Sequence, residues 1–337
     1  MNPRMSPALP RSSHGPGSRY TARAAFSRAR PTRQPHHVNL TPLVHRITDR
    51  DQWLAWMLHE HRVLTTRQIT RLAFPSPRTA QRRLRTLYEY ALLDSFRPLV
   101  QSGSGPEHYT LGPAGAALLA AQAGCDTAEM GWRPSHTGRI AYSPTLGHDL
   151  GTNELLTLLT AHAHTTQARL TLWLSARSCV RRWGDLVHPD AYAHWYDDGW
   201  REVPFFLEYD TGSEQLSRVE AKLASYAAFT AATGARPALL IHTRTASRET
   251  ALRRRLTEPA RTLNLRVATA SADFTTNTPW GRWWLPLDPP ARRTELAALT
   301  SRWPDLTPAY KAEASEADSP LTLPVSPLPP TDPAPRQ

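Results

Sequence analysis

The chain has few of the residues that stapled folds, metal ribbons and membrane spans require. Only two of its 337 residues are cysteine, Cys125 and Cys179. They form no disulfide framework and no zinc spacing, so a reducing cytoplasm is the expected compartment. No run of about 18 apolar residues occurs, so no transmembrane helix and no membrane partner is expected. The N-terminus carries arginines but no apolar core, so it does not read as a secretory signal. A glycine-rich phosphate loop of the Walker type is missing, which removes an ATPase reading. Lysine is nearly absent too: 38 of the 40 basic side chains are arginine, leaving Lys222 and Lys311. With abundant Ala and Pro, that bias fits a high-GC genome and singles out each remaining lysine.

Positive charge and proline are plentiful. The net charge of +11 favours an anionic partner, nucleic acid first. Much of it is local, because residues 1–47 hold eight arginines and no acid. Residues 1–44 read as a disordered basic arm. Residues 45–124 read as a compact helical domain and 125–144 as a polar linker. Residues 145–287 alternate helix and strand signals. Residues 288–337 form a C-terminal segment, Pro-rich from about 305 and expected to be disordered or polyproline II.

Three helix starts follow one another in the first domain. Thr48-Asp49-Arg50-Asp51 is a cap followed by a Trp53, Trp56, Met57 stripe, and Thr65-Thr66-Arg67-Gln68 is a capping box. Ser76-Pro77 is an N-cap with proline at the first helical position. The third helix sets Ala80, Leu84, Leu87 and Ala91 on one face and Arg78, Gln81, Arg82 and Arg85 on the other. Two strands, 92–100 and 107–111, then form a hairpin around a flexible tip. This is the order of a winged helix-turn-helix, which lays its third helix in the major groove of double-stranded DNA. The plain alternative is a solvated arginine face.

The second domain reads α-β-β-β-α-β-α-β. The helix at 145–164 is followed by strands at 169–176, 186–195 and 203–210. The last ends in VPFFLEYD, where Glu208 and Asp210 share one face of the strand. A helix at about 213–233, with Thr211-x-x-Glu214 as its capping box, precedes the strand 237–243. Lys222 and Tyr226 stand four residues apart on that helix, on one face.

This order resembles the PD-(D/E)xK nuclease-like fold, an α/β domain with a mixed sheet. The fold class expected is therefore α+β with α/β character. Pro189-Asp190 and Glu208 occupy the places of that fold's two acids. The resemblance implies Mg²⁺ or Mn²⁺ on Asp190, Glu208 and Asp210, with Lys222 assisting phosphodiester hydrolysis. Asp210 stands where such nucleases usually have lysine, and Lys222 on the next helix is the relocated candidate. Over residues 45–285 the layout also resembles the replication-relaxation family of actinobacterial and plasmid-associated proteins. That likeness rests on Gly147-His148-Asp149-Leu150, Asn153-Glu154, Val187-His188-Pro189-Asp190, Phe206 to Gly212, Glu214, Lys222 and Tyr226. It implies a role in plasmid or mobile-element replication and DNA relaxation, with plasmid replication or mobilisation proteins as partners.

Three functions remain open from the sequence: a cytoplasmic DNA-binding protein, a metal-dependent endonuclease, and an inactive nuclease-like adaptor. Two accessory residues read first as structural. His148 beside a helix start suits capping and packing, with a phosphate or metal contact as the alternative. For Glu154 the resemblance to the nuclease-like fold, whose first helix sometimes carries an acid at the metal, implies an extra metal ligand. The cluster Trp280, Trp283, Trp284 and Trp303 is expected to close a core edge rather than stack bases. Cys179 is expected to be buried, not a nucleophile.

Overall fold

The computed structural model describes residues 45–98, 105–199, 201–271, 278–309, 321 and 323–330. The basic arm at 1–44 and the hairpin tip lie outside the described residues.

The N-terminal unit runs α1 (Asp49–His61), β1 (Leu64–Thr65), α2 (Thr66–Ala73), α3 (Pro77–Glu89), β2 (Leu93–Phe96), β3 (His108–Leu111) and α4 (Pro113–Ala123). The expected caps start these helices. The Thr48 backbone N–H donates to Asp51 at 2.8 Å, closing a reciprocal capping box. Thr65 and Gln68 form another, at 2.9 and 3.3 Å. Ser76 accepts from the Thr79 N–H ahead of Pro77. Each box satisfies donors that the first helical turn leaves orphaned. Asp51 also takes the Arg83 guanidinium, Nε at 3.0 Å, so one carboxylate both caps α1 and ties it to α3. The strands form an antiparallel sheet in the order β1-β3-β2. The two-residue strand β1 has no legible sequence signal.

The segment 125–144, expected as a linker, is packed. It carries α5 (His136–Ala141). Trp132 donates its indole N–H to the Leu111 carbonyl at 3.0 Å, and Thr137 meets Thr110 at 2.8 Å.

The second unit runs α6 (Leu146–Ala163), β4 (Arg169–Ser175), α7 (Ala176–Trp183), β5 (Ala191–Tyr196), β6 (Glu202–Asp210), α8 (Leu216–Thr233), β7 (Ala238–Thr243), α9 (Ala246–Thr262), β8 (Val267–Ser271), β9 (Leu285–Pro286) and α10 (Leu299–Arg302). Its mixed sheet has the order β4-β5-β6-β7-β8-β9. β4, β5 and β6 are antiparallel, while β6, β7 and β8 are parallel and joined by helical crossovers. The fold class is thus α+β, as expected. The added elements within 145–287 are the short edge strand β9 and α7, which Ser175 caps by accepting the Ser178 N–H at 3.3 Å.

Strand alternation assigns the two faces of the sheet. Val203, Phe205 and Leu207 pack with Leu155 and Leu159 of α6 in a core that continues into Leu58, Leu64 and Leu72 of the first unit. Phe206 packs on the other face with Leu223, Tyr226 and Phe229 of α8. Glu208 and Asp210 therefore point toward α8 and α9. Tyr209 points toward α6, where a Cβ on Gly151 would stand 2.1 Å from its ring. Glycine is thus what lets α6 lie this close to the strand.

Part of the proline-rich C-terminal segment, expected to be disordered or polyproline II, is held by polar contacts. Ser326 accepts the Trp53 indole N–H at 2.8 Å, and Leu321 accepts from Arg181 at 3.0 Å. Trp283, Trp284 and Trp303 are buried, as a core edge demands, and Trp280 stacks on His162 at 4.0 Å. Among the described residues no helix is long and apolar enough to cross a membrane.

Candidate functional site

The apolar run of β6 delivers Glu208 into a closed setting, 5% exposed. Both carboxylate oxygens are taken by groups from one face of α8. The Tyr226 hydroxyl donates to Oε1 at 2.5 Å, and the Lys222 ammonium donates to Oε2 at 2.8 Å. The spacing of four residues on α8 puts both donors over the same carboxylate. Lys222 also reaches Glu214 at 3.2 Å. Burial, reinforced by the negative charge of Asp190, pushes the Glu208 carboxyl up to about 7, while Lys222 and Tyr226 pull the other way. Burial disfavours the Lys222 charge, but Glu208 and Glu214 outweigh it and hold the ammonium above its ordinary range. Burial and the neighbouring Glu208 raise the Tyr226 phenol well above its usual value.

Asp190 lies just before β5. Its Oδ2 accepts the Tyr209 backbone N–H at 2.7 Å, and its own N–H donates to the Leu207 carbonyl at 3.0 Å. These bonds pin it beside the end of β6. His148 Nδ1 stands 3.8 Å from Asp190 Oδ2, and its interaction with Asp190 raises the imidazole's pKa. His148 Nε2 meets the Thr211 hydroxyl at 3.2 Å. Five of the residues singled out from the sequence, His148, Asp190, Glu208, Lys222 and Tyr226, thus gather at one place.

Two others do not. Asp210 turns to α9, where Arg248 Nε stands at 2.6 Å and the Gly212 N–H at 2.7 Å. Glu154 binds Arg71 at 2.5 Å and Gln68 at 3.1 Å, clamping α6 to α2 of the first unit. Thr211-x-x-Glu214 is not a capping box. α8 begins at Leu216 behind Gln215, which offers no side-chain cap, and Glu214 is spent on Lys222. Sequence reasoning missed Arg248. Nothing distinguishes it among so many arginines.

A metal reading needs free carboxylate oxygens converging on one point. Among the described residues no three His, Cys, Asp or Glu side chains gather in a way that holds an ion. Glu208 gives both oxygens to Lys222 and Tyr226, and Asp210 gives its own to Arg248 and Gly212. The residues as arranged therefore do not fit Mg²⁺ or Mn²⁺. What the cluster does is hold the buried Glu208 carboxyl between an ammonium and a phenol. Cys179 is buried, which raises its thiol well above the reactive range.

On the first unit, Arg78, Gln81, Arg82 and Arg85 are all exposed along one side of α3. Among the described residues none of the three arginines pairs with a carboxylate. Arg83, between them in sequence, faces the other way onto Asp51.

These features define a two-unit α+β protein: a small helical unit with a bare arginine face, clamped onto a mixed sheet that carries a buried carboxylate–lysine–tyrosine cluster. A model of the replication-relaxation family matches residues 55–245, more than half of the chain, and the chain belongs to that family. Membership connects it with plasmid or mobile-element replication. No curated protein and no solved structure matches it.

Proposed function

We propose that the protein binds double-stranded DNA in plasmid or mobile-element replication, with residues 45–124 acting as a winged helix. The exposed Arg78, Gln81, Arg82 and Arg85 face of α3 carries this reading. In such a unit the third helix enters the major groove, where arginine and glutamine reach base edges and phosphates. Arginines left unpaired at the surface are available to displace condensed counterions from a duplex. The family match agrees with a role on replicating DNA, and the arm at 1–44 adds seven arginines and no acid to the same electrostatic account.

The nuclease-like domain serves as a support and contact domain in this reading. Its Glu208 is engaged by Lys222 and Tyr226. Duplex affinity measured against salt tests the docking model. The Arg82→Ala/Arg85→Ala protein is expected to bind more weakly and with a shallower salt slope, and an unchanged slope would refute the model.

A further inference from the structure

The C-terminal tail, residues 321 and 323–330, crosses the junction of the two units along one face of α1. Trp53 and Glu60 lie two helical turns apart on that face, about 10 Å. Trp53, 7% exposed, donates its indole N–H to the Ser326 carbonyl at 2.8 Å. Glu60 faces α7, where Arg181 stands 3.8 Å from it and donates to the Leu321 carbonyl at 3.0 Å. From Leu321 to Ser326 an extended proline-rich chain advances about 15 Å. That length matches the α1 face plus the reach of the Arg181 side chain. Leu321 and Val325 pack against the main core, and Pro327 is buried. The tail thus holds the first unit (through Trp53) and the second (through Arg181) at once.

Burial along this stretch repeats every three residues. Pro324 and Pro327 turn inward, as do Val325 and Leu328 beside them, while Leu323 and Ser326 are exposed. Three residues per turn is the polyproline II period. Pro324-Val325-Ser326-Pro327 is a Pro-x-x-Pro segment. Aromatic-lined faces select such segments because proline has already fixed φ, so docking loses little entropy. An indole N–H can only donate, so Trp53 selects a carbonyl at that point of the segment. We propose that the α1–α7 face centred on Trp53 is a docking site for a Pro-x-x-Pro segment, and that the chain's own tail occupies it in cis. The path of the chain favours cis. Ala309 donates its N–H to the Tyr192 hydroxyl at 2.7 Å. The Tyr192 ring meets Trp183 at 5.1 Å, and Trp183 stands on α7 two residues beyond Arg181. Residues 310–320 join these neighbouring points, and a chain of that length reaches about 35 Å. The site does not depend on the DNA-binding reading.

Nitrogen-15 NMR of the full-length protein separates its 11 tryptophan indole signals, and the one lost in Trp53→Phe reports the site. Pro324→Gly/Pro327→Gly is expected to move that signal upfield, toward an indole in water, and to leave the others in place. A synthetic peptide of residues 319–332, added to this full-length variant, is expected to restore it saturably, with half-restoration below about 1 mM. The bound follows from tethering. A short tether supplies a millimolar effective concentration, so only a site with a Kd below that is filled in cis. A scrambled peptide of the same composition is expected to leave the signal unmoved. Arg181→Met in the same background is expected to weaken the peptide about fivefold or more. An unmoved Trp53 signal in the double-glycine variant would overturn the proposal. So would a shifted signal that the peptide does not restore, or equal restoration by the scrambled peptide. Peptide affinity indifferent to Arg181→Met would overturn the part given to α7. A native signal that shifts on dilution would put a second copy's tail in the site and overturn the cis assignment.

Discussion

Replacing Lys222 by methionine removes the ammonium from Glu208 and keeps the apolar stem. Taking one partner from a fully buried ion pair costs about 3–5 kcal/mol. Lys222 is 38% exposed at its side chain, and solvent screening reduces that to about 1–2 kcal/mol. The cost must depend on pH, because Glu208 ionises only near 7. Its folded pKa lies above the unfolded value of 4.5, so the native state holds the proton more tightly. Stability contributed by Glu208 is therefore full below 4.5 and falls as pH rises through 7. Without Lys222 the carboxyl is pushed higher still, and the fall extends further into the alkaline range. Urea unfolding of both proteins, near pH 6 and near pH 8.5, reads the effect. The Lys222→Met deficit is expected to be about 1–2 kcal/mol at the higher pH and under about 0.5 kcal/mol at the lower. In the Glu208→Gln background the pH dependence of the deficit should vanish. A deficit equal at both pH values would refute the reasoning.

Two further outcomes concern the buried histidines and Asp190. Burial lowers His59 to about 3 and His61 and His108 to about 4, from 6.5 unfolded. These bases are neutral when folded, so their contribution is full above 6.5 and lost as pH falls toward 4. At ~3 kcal/mol or more each, the three together match a typical whole-protein reserve of about 5–15 kcal/mol. Circular dichroism during acid titration should show unfolding between pH 6.5 and 4, and a native spectrum at pH 4 would contradict this. On supercoiled plasmid with Mg²⁺ or Mn²⁺, no nicking that depends on Asp190 is expected; nicking lost in Asp190→Ala would restore the metal reading.

Much of the fold was legible because local signals were strong and independent. The caps at Thr48, Thr65 and Ser76 each closed the hydrogen bonds their residue types predict. The apolar run before Glu208 became a fully paired inner strand. The shortage of lysine drew attention to Lys222, which sits on Glu208. Pairings between distant segments were not legible. Arg248 on Asp210 and Arg71 on Glu154 are two arginines among 38, and only the fold brings them to their acids. The packing of 125–144 was not legible because its polar composition suggested exposure, and the contacts of Leu321 and Ser326 were not legible either. Trp132, Thr137 and the carbonyl of Ser326 instead found partners on the first unit. α8 begins five residues after Thr211, and Glu214 pairs with Lys222 instead of capping.

The most direct test of the central claim is duplex affinity as a function of salt, comparing the native protein with Arg82→Ala/Arg85→Ala. The account predicts at least about tenfold weaker binding and a slope of log K against log salt shallower by about one per arginine removed. Equal affinity and equal slope in the two proteins would mean that the exposed face of α3 does not meet DNA.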